Sequence, residues 1–126
     1  MSRDLLFAEV RARALALPDA AEKLSHGSPG FHVLKGKFFA YFWHDHHGDG
    51  RTAVLVKTSG LEEQAMLVEA DPASYFIPPY LGPSGWVGLR LDGRAVDWAH
   101  VNHWLAASWH RAAPARLLRL LEGDGR

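Results

Sequence analysis

Leu6, Val10, Ala14 and Leu17 recur at three- and four-residue steps, which places them on one face of a helix over residues 2–17. Ser2 stands where its hydroxyl can cap the first turn, and Asp4 lies near the positive end of the helix dipole. Pro18 ends the periodic run, and Asp19 with Glu22 has the spacing of a capping pair for a further short turn. Residues 25–30, Ser-His-Gly-Ser-Pro-Gly, hold too many turn formers for an element interior and predict a loop that feeds a strand.

Residues 31–43 have the β-branched and aromatic bias of strands folded around a turn, with Lys35, Gly36 and Lys37 at its tip. A second polar turn over 44–51 returns into a strand over 52–57. Ser59 and Glu62 fit the capping-box spacing, so a helix is predicted over 59–70, closed by Asp71 and Pro72. Residues 75–85, with three prolines and two glycines among aromatics, predict an ordered irregular loop. Val87, Leu89 and Leu91 alternate on one face of a strand over 86–91. Asp97 caps a helix that carries Trp98, Val101, Leu105 and Ser108 on one stripe, and Pro114 precedes a last helical piece over 115–121, with 123–126 fraying. Helix, three strands, helix, strand and helix make an α+β fold. It has a single antiparallel sheet of about four strands with helices on one face.

At 126 residues the chain reads as one domain over 1–126. The absence of cysteine excludes disulfides, thiolate nucleophiles and cysteine-ligated metal. No apolar run approaches the roughly 18 residues of a membrane helix. Arg3, Asp4, Glu9, Arg11 and Arg13 would break a signal-peptide core, so a cytoplasmic location and no membrane partner are expected. Fourteen basic and fourteen acidic side chains balance, which excludes a polyelectrolyte surface. The balance is uneven: residues 23–57 carry five bases against two acids and five of the eight histidines, while 58–72 carry four acids and no base. The first of these stretches becomes more basic as pH falls through the histidine range.

Several short motifs are familiar in their joint order: Ala14-Leu-Ala-Leu-Pro18, Ser25-His26-Gly27, Gly36-Lys37-Phe38-Phe39-Ala40, Val56-Lys57, Tyr75-Phe76, Pro78-Pro79-Tyr80, Gly85-Trp86-Val87 and Asp97-Trp98. With this order and spacing over nearly its whole length, the chain resembles the MmcQ/YjbR family. The resemblance implies a fold related to CyaY and frataxin, a "double wing" arrangement, and DNA binding. The first helix lacks a run of acidic residues that could collect iron, so an iron-donor role is not carried over.

If the two hairpins act as wings, Lys35 and Lys37 at one tip and Arg51, His44, His46 and His47 at the other, with Lys57, place cations that could contact phosphates without reading bases. Five phosphate contacts would give a log–log salt slope of roughly −4 to −5. Lys-Gly-Lys is equally an ordinary solvated tip, and Trp43 either stacks on a base or covers the hairpin. An alternative reading is a small-anion or protein-interaction module. There Lys57 and Arg90 lie beneath the 75–86 loop with Tyr80 and Trp86, unless Arg90 simply pairs with Asp92 or Asp97. His44, His46 and His47 with Asp45 or Asp49 offer metal-ligand atoms, but a polar turn gives them no convergence, and no metal or other cofactor is expected. Ser25 and His26 are adjacent and cannot readily meet as nucleophile and base, while residues 27–30 lack the lysine of a phosphate loop. No catalytic constellation emerges, and the expectation is a non-enzymatic protein. Trp98 and Trp104 read as helix packing, and His110, Arg111, Arg116 and Arg119 as a solvated basic face.

Overall fold

The computed structural model describes residues 2–93 and 95–124. The first helix, α1 (Arg3–Leu15), starts where Ser2 Oγ accepts the Leu5 N–H at 3.3 Å, and its Leu6, Val10 and Ala14 are buried. Residues 19–30 then depart from the sequence reading. In place of a helical turn and a loop, β1 (Ala20–Ser25) and β2 (Ser28–Val33) form a hairpin. Its two-residue turn holds His26 at φ 52° and Gly27 at φ 81°, the left-handed pair that suits the twist of a tight hairpin. β1 is an edge strand, Ala-Ala-Glu-Lys-Leu-Ser, with little β propensity and no full burial, so no two-residue alternation marks it in the sequence.

The chain continues through β3 (Phe38–His44), a short 3-10 turn, β4 (Thr52–Lys57), α2 (Leu61–Ala70) and the two-residue β5 (Tyr75–Phe76). It then returns through the 77–85 loop to β6 (Trp86–Arg90), α3 (Trp98–Ala112) and α4 (Ala115–Asp124). The sheet therefore has six strands among the described residues, in the order β1-β2-β3-β4-β6-β5 and antiparallel throughout, where about four were expected. The two additions are its edges. The last helix runs longer than predicted: Gly123 and Asp124 are helical, and the fraying expected of Gly125 and Arg126 falls outside the described residues.

The helices cover one face. Phe31, Val33, Phe42, Val54, Val56, Val87 and Leu89 from the strands meet Leu6, Val10, Val101, Trp104, Leu105 and Trp109 from α1 and α3, while α2 and α4 add Leu67, Val68, Leu117 and Leu118. Asp97 caps α3 by accepting the His100 N–H at 3.2 Å, and Trp98 lies under the Arg13 guanidinium, 4.8 Å from the ring centre. The capping box predicted for α2 is not the one formed: Gly60 occupies the cap, and Glu63, not Glu62, reaches back to accept the Ser59 N–H at 2.8 Å.

The register between β2 and β3 slips at Phe31 and His32, leaving Phe39 as the extra residue of a bulge. The bulge turns both Phe39 and Ala40 toward the helices and returns Tyr41 to the opposite face. Ser108 of α3, fully buried, closes the irregularity. Its hydroxyl donates to the Phe39 carbonyl at 2.6 Å and accepts the Lys57 N–H at 3.0 Å.

Candidate functional site

The face of the sheet away from the helices is aromatic. Trp43, Ala53, Leu55, Phe76 and Trp86 are buried there, with Phe38, Tyr41 and Leu81 packed beside them. Two glycines make room for the rings: a Cβ on Gly30 would lie 2.7 Å from Phe38 Cε1, and one on Gly88 only 2.3 Å from Phe76 Cζ. Phe38 stacks on Tyr41 at 5.2 Å between ring centres, and Tyr41 tilts against Trp86 at 5.2 Å.

At one end of this face lies a cavity of about 470 Å³, within the usual size of a small-ligand site. Four segments wall it: Ser25, His26 and Ser28 of the first hairpin, Tyr41 and Trp43 of β3, His46 and His47 of the next turn, and Tyr80 and Leu81 of the 77–85 loop. The 45–51 turn is held by its own aspartates, with Asp45 accepting the Gly50 N–H at 2.7 Å and Asp49 accepting the Arg51 N–H at 2.8 Å. The loop is anchored from inside the fold. Gln64 Nε2 donates to the Gly82 and Trp86 carbonyls at 2.8 and 2.6 Å, and the Thr58 hydroxyl donates to the Gly85 carbonyl at 2.6 Å.

Rings close the mouth in sequence. Trp43 stacks on His46 at 3.7 Å, His46 meets His47 at 4.1 Å, and His47 meets the edge of Tyr80 at 5.9 Å. Desolvation lowers the His46 pKa, the neighbouring His47 lowers it further, and Asp49 opposes both. Burial raises the Tyr41 pKa against the effect of its hydrogen bond with Ser25. Six non-glycine residues among those described have positive φ, and three of them, His26, His47 and Tyr80, line this one cavity. Each such residue costs about 1–2 kcal/mol relative to ordinary backbone. Tyr80 bears that cost while the residue remains 77% exposed.

The YjbR family model matches residues 15–111, most of the chain. The chain belongs to the YjbR family. Among solved structures, this YjbR-family chain is similar to the DR2400 protein of Deinococcus radiodurans, a DUF419-domain protein. The TM-score is 0.64 at 23% identity, over 82% of this chain and 75% of the other. That likeness shows the fold alone. Among curated proteins no relative matches. No helix among the described residues is long and apolar enough to cross a membrane.

In this YjbR fold the four lysine and arginine cations proposed for the wings do not come together. Lys35 and Lys37 are exposed on the β2–β3 turn, which is tied down: Leu34 N–H donates to Asp19 O at 2.9 Å and Lys37 N–H to Ala112 O at 3.3 Å. Gly36 sits so close to α3 that a Cβ there would lie 2.7 Å from Ala112 O. Arg51 belongs to the opposite end of β3, six residue steps away. At the rise of an antiparallel strand the two turns are about 20 Å apart. Arg51 lies over the Phe76 ring at 4.3 Å, with Asp49 4.0 Å from its guanidinium. Lys57 ends β4 opposite Trp86, at the Lys37 end.

The alternative set divides as well. Tyr80 walls the cavity and Trp86 lies buried beside it, but Lys57 and Arg90 line neither wall. Arg90 pairs with Asp92 at 3.3 Å and borders a separate cleft with Asp71, Tyr75, Asp97 and His100, where the Tyr75 hydroxyl bonds His100 Nε2. His44 is taken by the Thr52 hydroxyl at 2.8 Å, and Arg111 by the Ala107 carbonyl at 3.3 Å. Sequence reasoning placed Ser25, His26 and Ser28 in a loop and gave Tyr41 and Leu81 no role. The available signal was the His26-Gly27 pair, because a left-handed two-residue turn sets Ser25 and Ser28 opposite each other beside β3.

Proposed function

We propose that this chain is a small-ligand-binding module without catalytic chemistry, and that its site is the cavity between His26, His46 and Tyr80. One observation carries the reading: among the described residues, half of the non-glycine residues with left-handed backbone, drawn from three separate turns, converge on one ring-lined cavity. Strained backbone collects where a ligand is gripped. Tyr80 in particular holds a costly conformation with most of its surface in water, as a residue does when its packing partner is a ligand. The aromatic walls suit a planar molecule, and the Ser25, Ser28 and Tyr41 hydroxyls with the imidazoles suit a polar edge.

The DNA reading that the family resemblance implies is favoured by a narrower observation, the placement of Lys35, Lys37 and Lys57 at the other end of the sheet. Three phosphate contacts would give a log–log salt slope of about −3 on duplex DNA, shallower than a paired-wing footprint. Thermal denaturation against planar small molecules, nucleotides and duplex DNA at low and moderate salt separates the two, since a ligand of the native state raises its apparent stability. Under the cavity reading, a planar molecule raises the midpoint at both salts, and Tyr80→Ala abolishes the rise. Stabilisation by DNA alone, lost with salt and in the Lys35→Ala, Lys37→Ala double variant, would overturn it.

A further inference from the structure

We propose that the cavity selects planar aromatic acids, holding the ring against Tyr80, Trp43 and Tyr41 and the carboxylate at His46 and His47, with His46 taking a proton from solvent as the ligand binds. The inference rests on the ligand-binding reading above and names the chemistry of the ligand.

The lining decides the charge. Seven of the nine wall residues are aromatic, imidazole or aliphatic and the other two are serines, with no carboxylate to receive a cation. Among the described residues no lysine or arginine lines the cavity either, so a doubly charged phosphate would find no fixed positive charge from them. Imidazoles fit between these cases: a neutral ring can take up a proton when an anion arrives, and the ring N–H groups of two neighbouring imidazoles can both donate to a single carboxylate.

The surroundings of His46 set this balance. It is pressed on the Trp43 ring, which desolvates it, and His47 lies 4.1 Å away, so a proton on either disfavours one on the other. Asp49 acts the other way but is committed to the Arg51 N–H and lies 4.0 Å from the Arg51 guanidinium. Asp45 is committed to the Gly50 N–H, and His26 and Tyr80 complete the groups around the cavity. A carboxylate entering here supplies the opposite charge that the empty site lacks.

Linkage gives the sign. The imidazole is neutral in the free protein above its depressed pKa and protonated in the complex below a raised one. Between those values affinity falls about tenfold per pH unit as pH rises, and it is flat outside them. The test is calorimetric titration of the intact protein with indole-3-carboxylate and its neutral isostere indole-3-carboxamide at pH 6 and pH 8, in two buffers of different ionisation heat. The acid is expected to bind at least tenfold more tightly at pH 6, with net proton uptake, while the amide binds more weakly and changes less than twofold. His46→Gln is expected to flatten the acid's profile, and His47→Asn, chosen because asparagine tolerates left-handed backbone, to weaken the acid's binding, both with thermal midpoints intact.

Equal, pH-independent binding of acid and amide would overturn the inference and leave the ligand-binding reading standing. Binding of neither also overturns it. The reading itself falls with it only if a wider panel of neutral and cationic planar rings shows no Tyr80-dependent binding.

Discussion

Ser108→Ala isolates one hydroxyl on which the shape of the open face depends. The substitution removes no apolar surface and leaves helix propensity no worse. It orphans two backbone groups at once: the buried Phe39 carbonyl, bonded at 2.6 Å, and the partly buried Lys57 N–H, bonded at 3.0 Å. An unsatisfied buried polar group costs about 1–3 kcal/mol, and the partial exposure of Lys57 puts its share at the low end, so the loss is about 2–4 kcal/mol. For a protein of this size each kcal/mol lowers the thermal midpoint by about 3–5 °C, which gives a drop of roughly 6–20 °C. Urea denaturation is expected to show a lower midpoint with unchanged slope, since the surface exposed on unfolding is the same. Hydrogen exchange gives an independent readout, because the Lys57 amide should lose protection before its neighbours in β4. A loss below about 0.5 kcal/mol, the level of an ordinary surface change, would refute the reasoning.

Gly88→Ala should destabilise by about 1–3 kcal/mol through overpacking, because its Cβ meets the Phe76 ring and must move both that ring and Arg51 above it; denaturant titration checks this, and a neutral effect would contradict the packing described. Burial raises the pKa of Tyr41 and of Tyr75, so tyrosinate absorbance should lag behind that of free tyrosine in an alkaline titration. Their contribution to stability is complete below the unfolded value of 10.0 and is lost as pH rises through the raised folded values, so a stability curve flat across that range would refute the shift. Lys35→Ala with Lys37→Ala should leave the affinity of any cavity ligand within about twofold, the turn being about 20 Å from the cavity end of β3; a tenfold loss by calorimetry would show that the two ends are coupled.

What the sequence made legible follows burial. Leu6, Val10 and Ala14, Val87 and Leu89, and Val101 and Leu105 each pack one face on the core, so their periodicity is visible; α1 and β6 were placed within two residues, and α3 was started at its Asp97 cap. β1 and β5 were invisible for the opposite reason. One is an edge strand with no fully buried residue, and the other is only two residues long. The site is legible in its parts and not in its assembly. Tyr80 and the His46-His47 turn stand out as residues, but their meeting depends on which hairpin turns share an end of the sheet. Missing β1 removed the hairpin that puts His26 on the same side as His46. Lys35 and Arg51 sit on successive turns of one meander, and because such turns alternate ends the two wing tips share no surface.

The most direct test of the central claim is an amide chemical-shift titration of the isotope-labelled protein, carried out in parallel with indole-3-carboxylate at pH 6 and with short duplex DNA at low salt. The account predicts saturable shifts from the aromatic acid at residues 25–28, 41–47 and 80–81, with residues 34–37 unmoved. Shifts confined to residues 34–37 and Lys57 on adding DNA, with the cavity silent to planar ligands of every charge, would contradict it.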